Sequence, residues 1–418
     1  MPFQCPDTEL FPPYLPCVAR VKREYRKLLP GMLLVGVLAG GCGSSGSSPP
    51  ESIVYQCNGT TGLEQPLPVC SRAQPCTNAI VIVNGQFVPN QTVTTASDVP
   101  VCATNNLVLN DGPPMQWTDA DGVIRYACLF KPSGALPASP RPLLIYFHGS
   151  GGNASHVYDL TGIRVKAIDY NLSGDPTRLG FILVSVQGRN LHFPPGERPG
   201  RHHDYYYRDL ASPSTNPDLE NIDRLIDTLV AQGGVDPQQI YVMGWSNGAL
   251  FAQLYAIARF DTATPGGNRV AAGAGYAFGN PFDNYSETQT PSCEMNPYPV
   301  SAVPLYLINR TCDALTGCNA AQEQKFHLLP GRSAEDWVTQ LMNPSYVNDL
   351  NVTFQRIHLS TDPLAPGAAA TVCDAALTCT QDAGTKAHLE WPYGPLYGAQ
   401  DPDWEVTMLD FLRAHPHP

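Results

Sequence analysis

The chain has 418 residues, 43% hydrophobic and only 15% charged, a balance that excludes intrinsic disorder and allows one large domain with an extension. Its formal charge is −12, and −14 once the Lys, Arg, Asp and Glu of residues 1–42 are set aside. An acidic body without clustered Lys and Arg excludes a nucleic-acid footprint, which works by displacing counterions, and favours a neutral substrate over a polyanionic one.

Residues 1–42 read as a leader: a basic stretch, Val21 to Lys27, precedes an apolar run from Met32 to Leu38 that is too short to span a bilayer. The run ends Leu38-Ala39-Gly40-Gly41-Cys42, followed by a Gly/Ser/Pro stretch. That ending resembles a bacterial lipobox and its tether, although Ala39 stands where a larger aliphatic residue is commoner. The resemblance implies lipidation at Cys42, so the expected location is outside the cytoplasm, either lipid-anchored to the cell envelope or secreted. Membrane contact is expected only through that anchor.

Residues 43–56 read as a flexible linker, and residues 57–112 as a small Cys-rich extension with short strands such as Ala79 to Val83. Beyond Cys42 there are ten cysteines, an even number that argues for disulfides in an oxidising compartment. Local bridges Cys312–Cys318 and Cys373–Cys379 are expected, and without a tight Cys-x-x-Cys pair no metal site is expected.

From residue 113 to the end strands and helices alternate, which predicts an α/β domain with a mostly parallel sheet covered on both faces. Asp121-Gly122 marks a hairpin, and Leu143 to Phe147 and Gly180 to Val186 read as buried strands joined by a crossover helix within 155–172. Asn216 and Pro217 open a helix whose apolar stripe is Ile222, Leu225, Ile226 and Leu229, ended by Gly233-Gly234. Strand Gln239 to Met243 and a helix from Asn247 to Arg259 follow. Further strands are expected at 270–276, 304–309 and 352–357, and helices at 334–342 and 403–414.

The segment that carries chemistry is Gly244-Trp245-Ser246-Asn247-Gly248. Gly-x-Ser-x-Gly alone is a weak signal, but here it joins an apolar strand to an apolar helix, the context a nucleophile elbow requires. Ser246 then stands at the strand end with the helix amides aimed at the same point, where an oxyanion would form. A second donor is expected from Phe147-His148-Gly149-Ser150-Gly151-Gly152, with Ser150 or Gly151 supplying the amide and Asn247 its partner. No Lys follows these glycines, which argues against a phosphate loop, and His148 reads as a structural residue. A serine also needs a base oriented by a carboxylate. His388, in the loop before the last helix, is the expected base; Asp313 after the 304–309 strand is the expected acid, with Asp374 and Asp382 as alternatives.

Taken with Val235-Asp236-Pro237 upstream, the His148-Gly149 loop and His388 ahead of Trp391-Pro392, these motifs resemble the polyhydroxybutyrate depolymerase and feruloyl esterase family of secreted α/β-hydrolases, over about residues 113–415. Ala249 stands where the family has a further glycine, and two residues rather than one separate His388 from Trp391. The resemblance implies an α/β-hydrolase fold and hydrolysis of small or polymeric carboxylic esters by Ser246, Asp313 and His388, without cofactor or metal. A serine peptidase and a non-catalytic ligand-binding surface lipoprotein remain open. The stretch His192 to Arg208, with His202-His203-Asp204 and Tyr205 to Tyr207, is read either as lining an acyl or aryl pocket or as a surface loop, and His202-His203-Asp204 not as a metal site, since adjacent side chains rarely converge on one ion.

Overall fold

The computed structural model describes the backbone of 57–58, 62–63, 78–83, 86–90 and 93–95, then residues 97–191 without Asp121, 200–205, 216–262, 266–281, 301–311, 313, 334–341, 352–357, 359, 387–393 and 401–417. All of these lie in one unit, Ile53–Pro418. Cys42, the linker, the two expected local disulfides, Asp374 and Asp382 fall outside the described residues.

Before residue 113 come β1 (Cys57–Asn58), β2 (Gly62–Leu63), β3 (Asn78–Val83), β4 (Gln86–Asn90) and β5 (Val93–Thr95). The central sheet is built from β6 (Met115–Thr118), β7 (Ile124–Phe130), β8 (Arg141–Phe147), β9 (Ile182–Val186), β12 (Val235–Trp245), β13 (Ala272–Tyr276), β14 (Leu305–Arg310) and β15 (Val352–Ile357). Two short strands, β10 (Arg189–Leu191) and β11 (Gly200–His202), stand apart in a small sheet in which β10 pairs with both β5 and β11. The helices are α1 (His156–Asp159), α2 (Ile163–Lys166), α3 (Pro217–Ala231), α4 (Asn247–Arg259), α5 (Ala334–Leu341) and α6 (Trp404–Ala414).

The sheet order is β15-β14-β13-β12-β8-β9-β7-β6. β8, β9 and β12 to β15 are parallel, and the hairpin β6–β7 joins antiparallel to β9. β8 is buried along its whole length, which is why it reads as a continuous apolar run. Alternate residues serve two separate cores. Leu143, Ile145 and Phe147 pack with α3, α4 and α5, while Leu144 and Tyr146 pack with α1, α2 and α6. Each fully buried large apolar side chain contributes about 1.5–3 kcal/mol. This mostly parallel sheet, with an antiparallel edge hairpin and helices on both faces, is an α/β-hydrolase fold.

One expectation needs correcting. The crossover between β8 and β9 is not one helix over 155–172 but the two short helices α1 and α2. The chain breaks there because the N–H of Gly162 donates to a Glu405 carboxylate oxygen at 2.6 Å instead of to a helical carbonyl. Helix α3 follows its sequence signals: the Asn216 side chain accepts the N–H groups of Asp218 and Leu219. Asp218 does more than favour the helix dipole, for it is buried against Arg125 and lies 3.0 Å from Arg189 Nε. Burial opposes its ionisation, but the two guanidinium groups hold its carboxyl well below the usual range.

Candidate active site

Ser246 sits between β12 and α4 with φ 54° and ψ −120°, a conformation that costs a residue with a side chain about 1–3 kcal/mol. The packing around it leaves no alternative. A Cβ at Gly244 would lie 2.0 Å from the Gly248 carbonyl oxygen, and one at Gly248 would lie 2.1 Å from the Phe147 carbonyl oxygen. The strand can therefore enter the helix at this tightness only with glycine at both places. The Ser246 N–H donates to the Tyr276 carbonyl at 2.9 Å, tying the elbow to β13.

The structure brings Ser246, His388 and Asp313 together. Ser246 Oγ is 2.7 Å from His388 Nε2, and His388 Nδ1 is 2.9 and 3.0 Å from the two Asp313 carboxylate oxygens. Because a carboxylate only accepts, Nδ1 carries the proton and Nε2 is left to accept from the serine hydroxyl. Asp313 is fully buried and His388 nearly so.

His388 lies in a helical turn at 387–389, held by side chains that the motif does not contain. Trp245 Nε1 donates to the His388 carbonyl at 2.9 Å. The Tyr276 hydroxyl faces the Ala387 and Glu390 carbonyls at 3.0 and 2.8 Å, and an Arg310 guanidinium nitrogen reaches the same Ala387 carbonyl at 3.1 Å and the Glu390 carboxylate at 2.8 Å. Trp391 is buried edge-on to Tyr146 and Tyr276, and its Nε1 donates to Glu405 at 2.6 Å. Glu405 is itself fully buried beside Lys166 at 2.6 Å; burial pushes its carboxyl up despite that partner.

The loop after β8 passes directly against the serine: a Cβ at Gly149 would lie 3.3 Å from Ser246 Cβ and 4.0 Å from its Oγ. Its Gly151 amide is not available as the second donor, because that N–H donates to the Arg201 carbonyl at 2.8 Å. Among the described residues, the N–H groups of Gly149 and Ser150 have no hydrogen-bond partner, and neither has that of Asn247 at the start of α4. Ser150 and Asn247 thus stay in place as candidate donors, and Gly151 does not. His148 is buried beneath the loop. Its Nε2 accepts the Gly188 N–H at 2.9 Å, so Nδ1 carries the proton and donates to the Gly149 carbonyl at 2.7 Å. Burial, with His203 adjacent, lowers its pKa well below the ordinary histidine value.

Residues 202–205 are not a surface loop, because all four are buried; Tyr206 to Arg208 lie outside the described residues. His203 stacks on Phe251, and burial lowers its pKa to about 3. Its backbone exchanges two hydrogen bonds with the Asn247 side chain, at 2.8 and 2.9 Å, which ties the first residue of α4 to the residue that follows β11. Asp204 lies 3.7 Å from an Arg189 guanidinium nitrogen. Among the described residues there is no cluster of His, Cys, Asp or Glu able to hold a metal.

No family model and no curated protein matches the chain. Solved structures with a similar fold include a thermostable esterase (14% identity, TM-score 0.39), aligned over 73% of this chain and 63% of its own. A Bacillus cereus carboxylesterase aligns over 56% of this chain and 84% of its own (16% identity, TM-score 0.31). A Porphyromonas gingivalis dipeptidyl peptidase 4 aligns over 58% of this chain and 31% of its own (14% identity, TM-score 0.34). Likenesses of this extent leave the reaction to be argued from the site itself.

Proposed function

We propose that the chain is a serine hydrolase that cleaves carboxylic esters through an acyl-enzyme on Ser246. The observation that carries this reading is the continuous relay from Ser246 Oγ through His388 to the buried Asp313 carboxylate, with bonds of 2.7 and 2.9 Å. Ser246 Oγ attacks the ester carbonyl carbon while its proton passes to His388 Nε2. The carbonyl oxygen becomes an oxyanion facing the free amides of Ser150 and Asn247. The tetrahedral intermediate collapses, the C–O bond to the alcohol breaks, and His388 returns the proton to the departing alkoxide. Water then attacks the acyl-enzyme by the same route, and the acid leaves. Asp313 holds the imidazole in the tautomer that accepts from serine.

The finer reading is an exported or lipid-anchored enzyme acting on polyhydroxyalkanoate or feruloyl esters. The leader, the lipobox-like Cys42 and the family resemblance support it, and the acidic body suits a neutral substrate. Turnover of p-nitrophenyl esters of graded chain length, methyl ferulate, polyhydroxybutyrate film and a peptide anilide identifies the substrate. Ser246→Ala is expected to lower kcat by about 10⁴- to 10⁶-fold and to abolish fluorophosphonate labelling. A wild-type protein inert to every ester and to the label would sink the proposal, and preference for the anilide would make it a peptidase. Fatty-acid labelling in a bacterial host, lost in Cys42→Ala, tests the anchor.

A further inference from the structure

The loop that faces Ser246 is held by a residue outside every motif. Arg201, on β11, donates from Nε to the Gly152 carbonyl at 2.6 Å and from a terminal nitrogen to the Gly151 carbonyl at 3.2 Å. Its own carbonyl accepts the Gly151 N–H at 2.8 Å. One residue thus makes three hydrogen bonds to two successive loop residues, through Gly151, whose φ is +70°. The Gly149 carbonyl is tied separately by the Gly152 N–H at 3.0 Å and by His148. With the 151 and 152 amides taken, those of Gly149 and Ser150 are left without a partner among the described residues, in the loop that passes against the serine.

The second terminal nitrogen of Arg201 meets Asp98 at 3.2 Å. Asp98 belongs to the segment that precedes the catalytic region, and its side chain is 90% exposed, so that ion pair contributes little by itself. The same segment is fastened in three more places. β5 pairs with β10, the Asp98 carbonyl accepts from the Gln187 side chain at 3.2 Å, and Gln187 accepts the Ala154 N–H at 2.6 Å. A disulfide joins Cys102 to Cys128 on β7.

We infer that Arg201 is a positioning residue that sets the oxyanion loop of this site, and that β5 and Asp98 of the preceding segment brace the strands that carry it. The inference rests on the ester-hydrolase reading above and deepens it. A guanidinium suits the task because its planar fork meets two carbonyls at fixed angles, whereas an ammonium acts as a point charge. The oxyanion amides matter most in the transition state, so loosening them should lower kcat and leave ground-state binding nearly intact.

The test compares full-length wild type with Arg201→Gln, Arg201→Lys and Arg201→Ala on the best ester found. Expected are kcat values about 10- to 100-fold lower with KM within about threefold, the scale of a small misplacement of a catalytic group. Binding of a trifluoromethyl ketone should weaken in parallel with kcat/KM, the 147–154 amides should exchange faster, and added guanidinium should restore part of the Arg201→Ala rate. Should Arg201→Gln fail to fold, Arg201→Lys decides: an intermediate kcat supports the proposal. An active wild type whose Arg201 variants keep kcat within twofold, or lose kcat and KM together without faster exchange, overturns this inference alone. A wild type inert to esters and fluorophosphonate removes the ester reading and this inference with it.

Discussion

The elbow at Ser246 and the turn that carries His388 approach within 2.7 Å of one another, yet they are held by different physics. The elbow is steric and local. Within five residues, two glycines whose Cβ atoms would fall about 2 Å from backbone oxygens force a strand into a helix with a strained serine between them. The His388 turn has no such internal constraint. Trp245, Tyr276, Arg310 and, through Trp391, Glu405 hold it by hydrogen bonds from three strands and the last helix. A local steric device should fail all at once when altered, whereas a shared network should fail by degrees.

The sharpest test of that contrast is Gly248→Ala. A methyl 2.1 Å from the Phe147 carbonyl oxygen cannot be absorbed by a side-chain shift. The cost should exceed the roughly 1–3 kcal/mol of ordinary overpacking and remove measurable ester turnover. A melt by circular dichroism and one rate assay check this, and near wild-type values would refute the steric account.

Asp313→Asn comes next. The side chain keeps its shape but can donate to His388 Nδ1, favouring the wrong tautomer, and kcat should fall by roughly 10⁴-fold. The melting temperature should change far less than for Gly248→Ala. A loss in kcat below tenfold would mean that another acid orients the base.

Tyr276→Phe removes only the hydroxyl facing the Ala387 and Glu390 carbonyls. With the other tethers in place, kcat should fall about 3- to 10-fold and stability by about 1–2 kcal/mol. A loss as large as that of Asp313→Asn would show that the turn hangs on one bond rather than on a network.

The smallest effect expected is on the pH dependence of stability. Burial lowers the pKa of His202 to about 4 and of His203 to about 3, against about 6.5 in the unfolded chain. Below pH 6.5 the unfolded state therefore binds protons that the folded state refuses. The stability these residues contribute is fully present above pH 6.5 and is lost as the pH falls toward 4. Melts at pH 7.5 and 5 should differ by a few degrees, and His203→Phe, set between Phe147 and Phe251, should reduce that difference. An unchanged pH dependence in that variant would contradict the assignment.

Much of the fold was legible because its signals are local. The continuous apolar run of β8, the Asn216 cap with Pro217 and the Gly244 to Gly248 elbow are each decided by residues a few positions apart. The same holds for placing Ser246, and chain order then narrowed its partners to Asp313 and His388. The failures have an equally physical source. The crossover was misread as one helix because a carboxylate 243 residues away captures the Gly162 N–H. Of the two loop amides the sequence offers as oxyanion donors, Ser150 and Gly151, the second is taken by the Arg201 carbonyl, 50 positions on, and spacing gives no sign of that. The polarity of residues 202–205 leaves a pocket lining and a surface loop both open, because it gives no sign of the Arg189 and Asn247 partners that allow them to be buried. Periodicity, caps and backbone sterics act over one or two turns and are written in residue spacing, so the sequence by itself determined most of the elements and the strained elbow at Ser246. Which amides remain free, which histidine stays neutral and what holds the base depend on partners with no fixed spacing, and only the tertiary structure decided them.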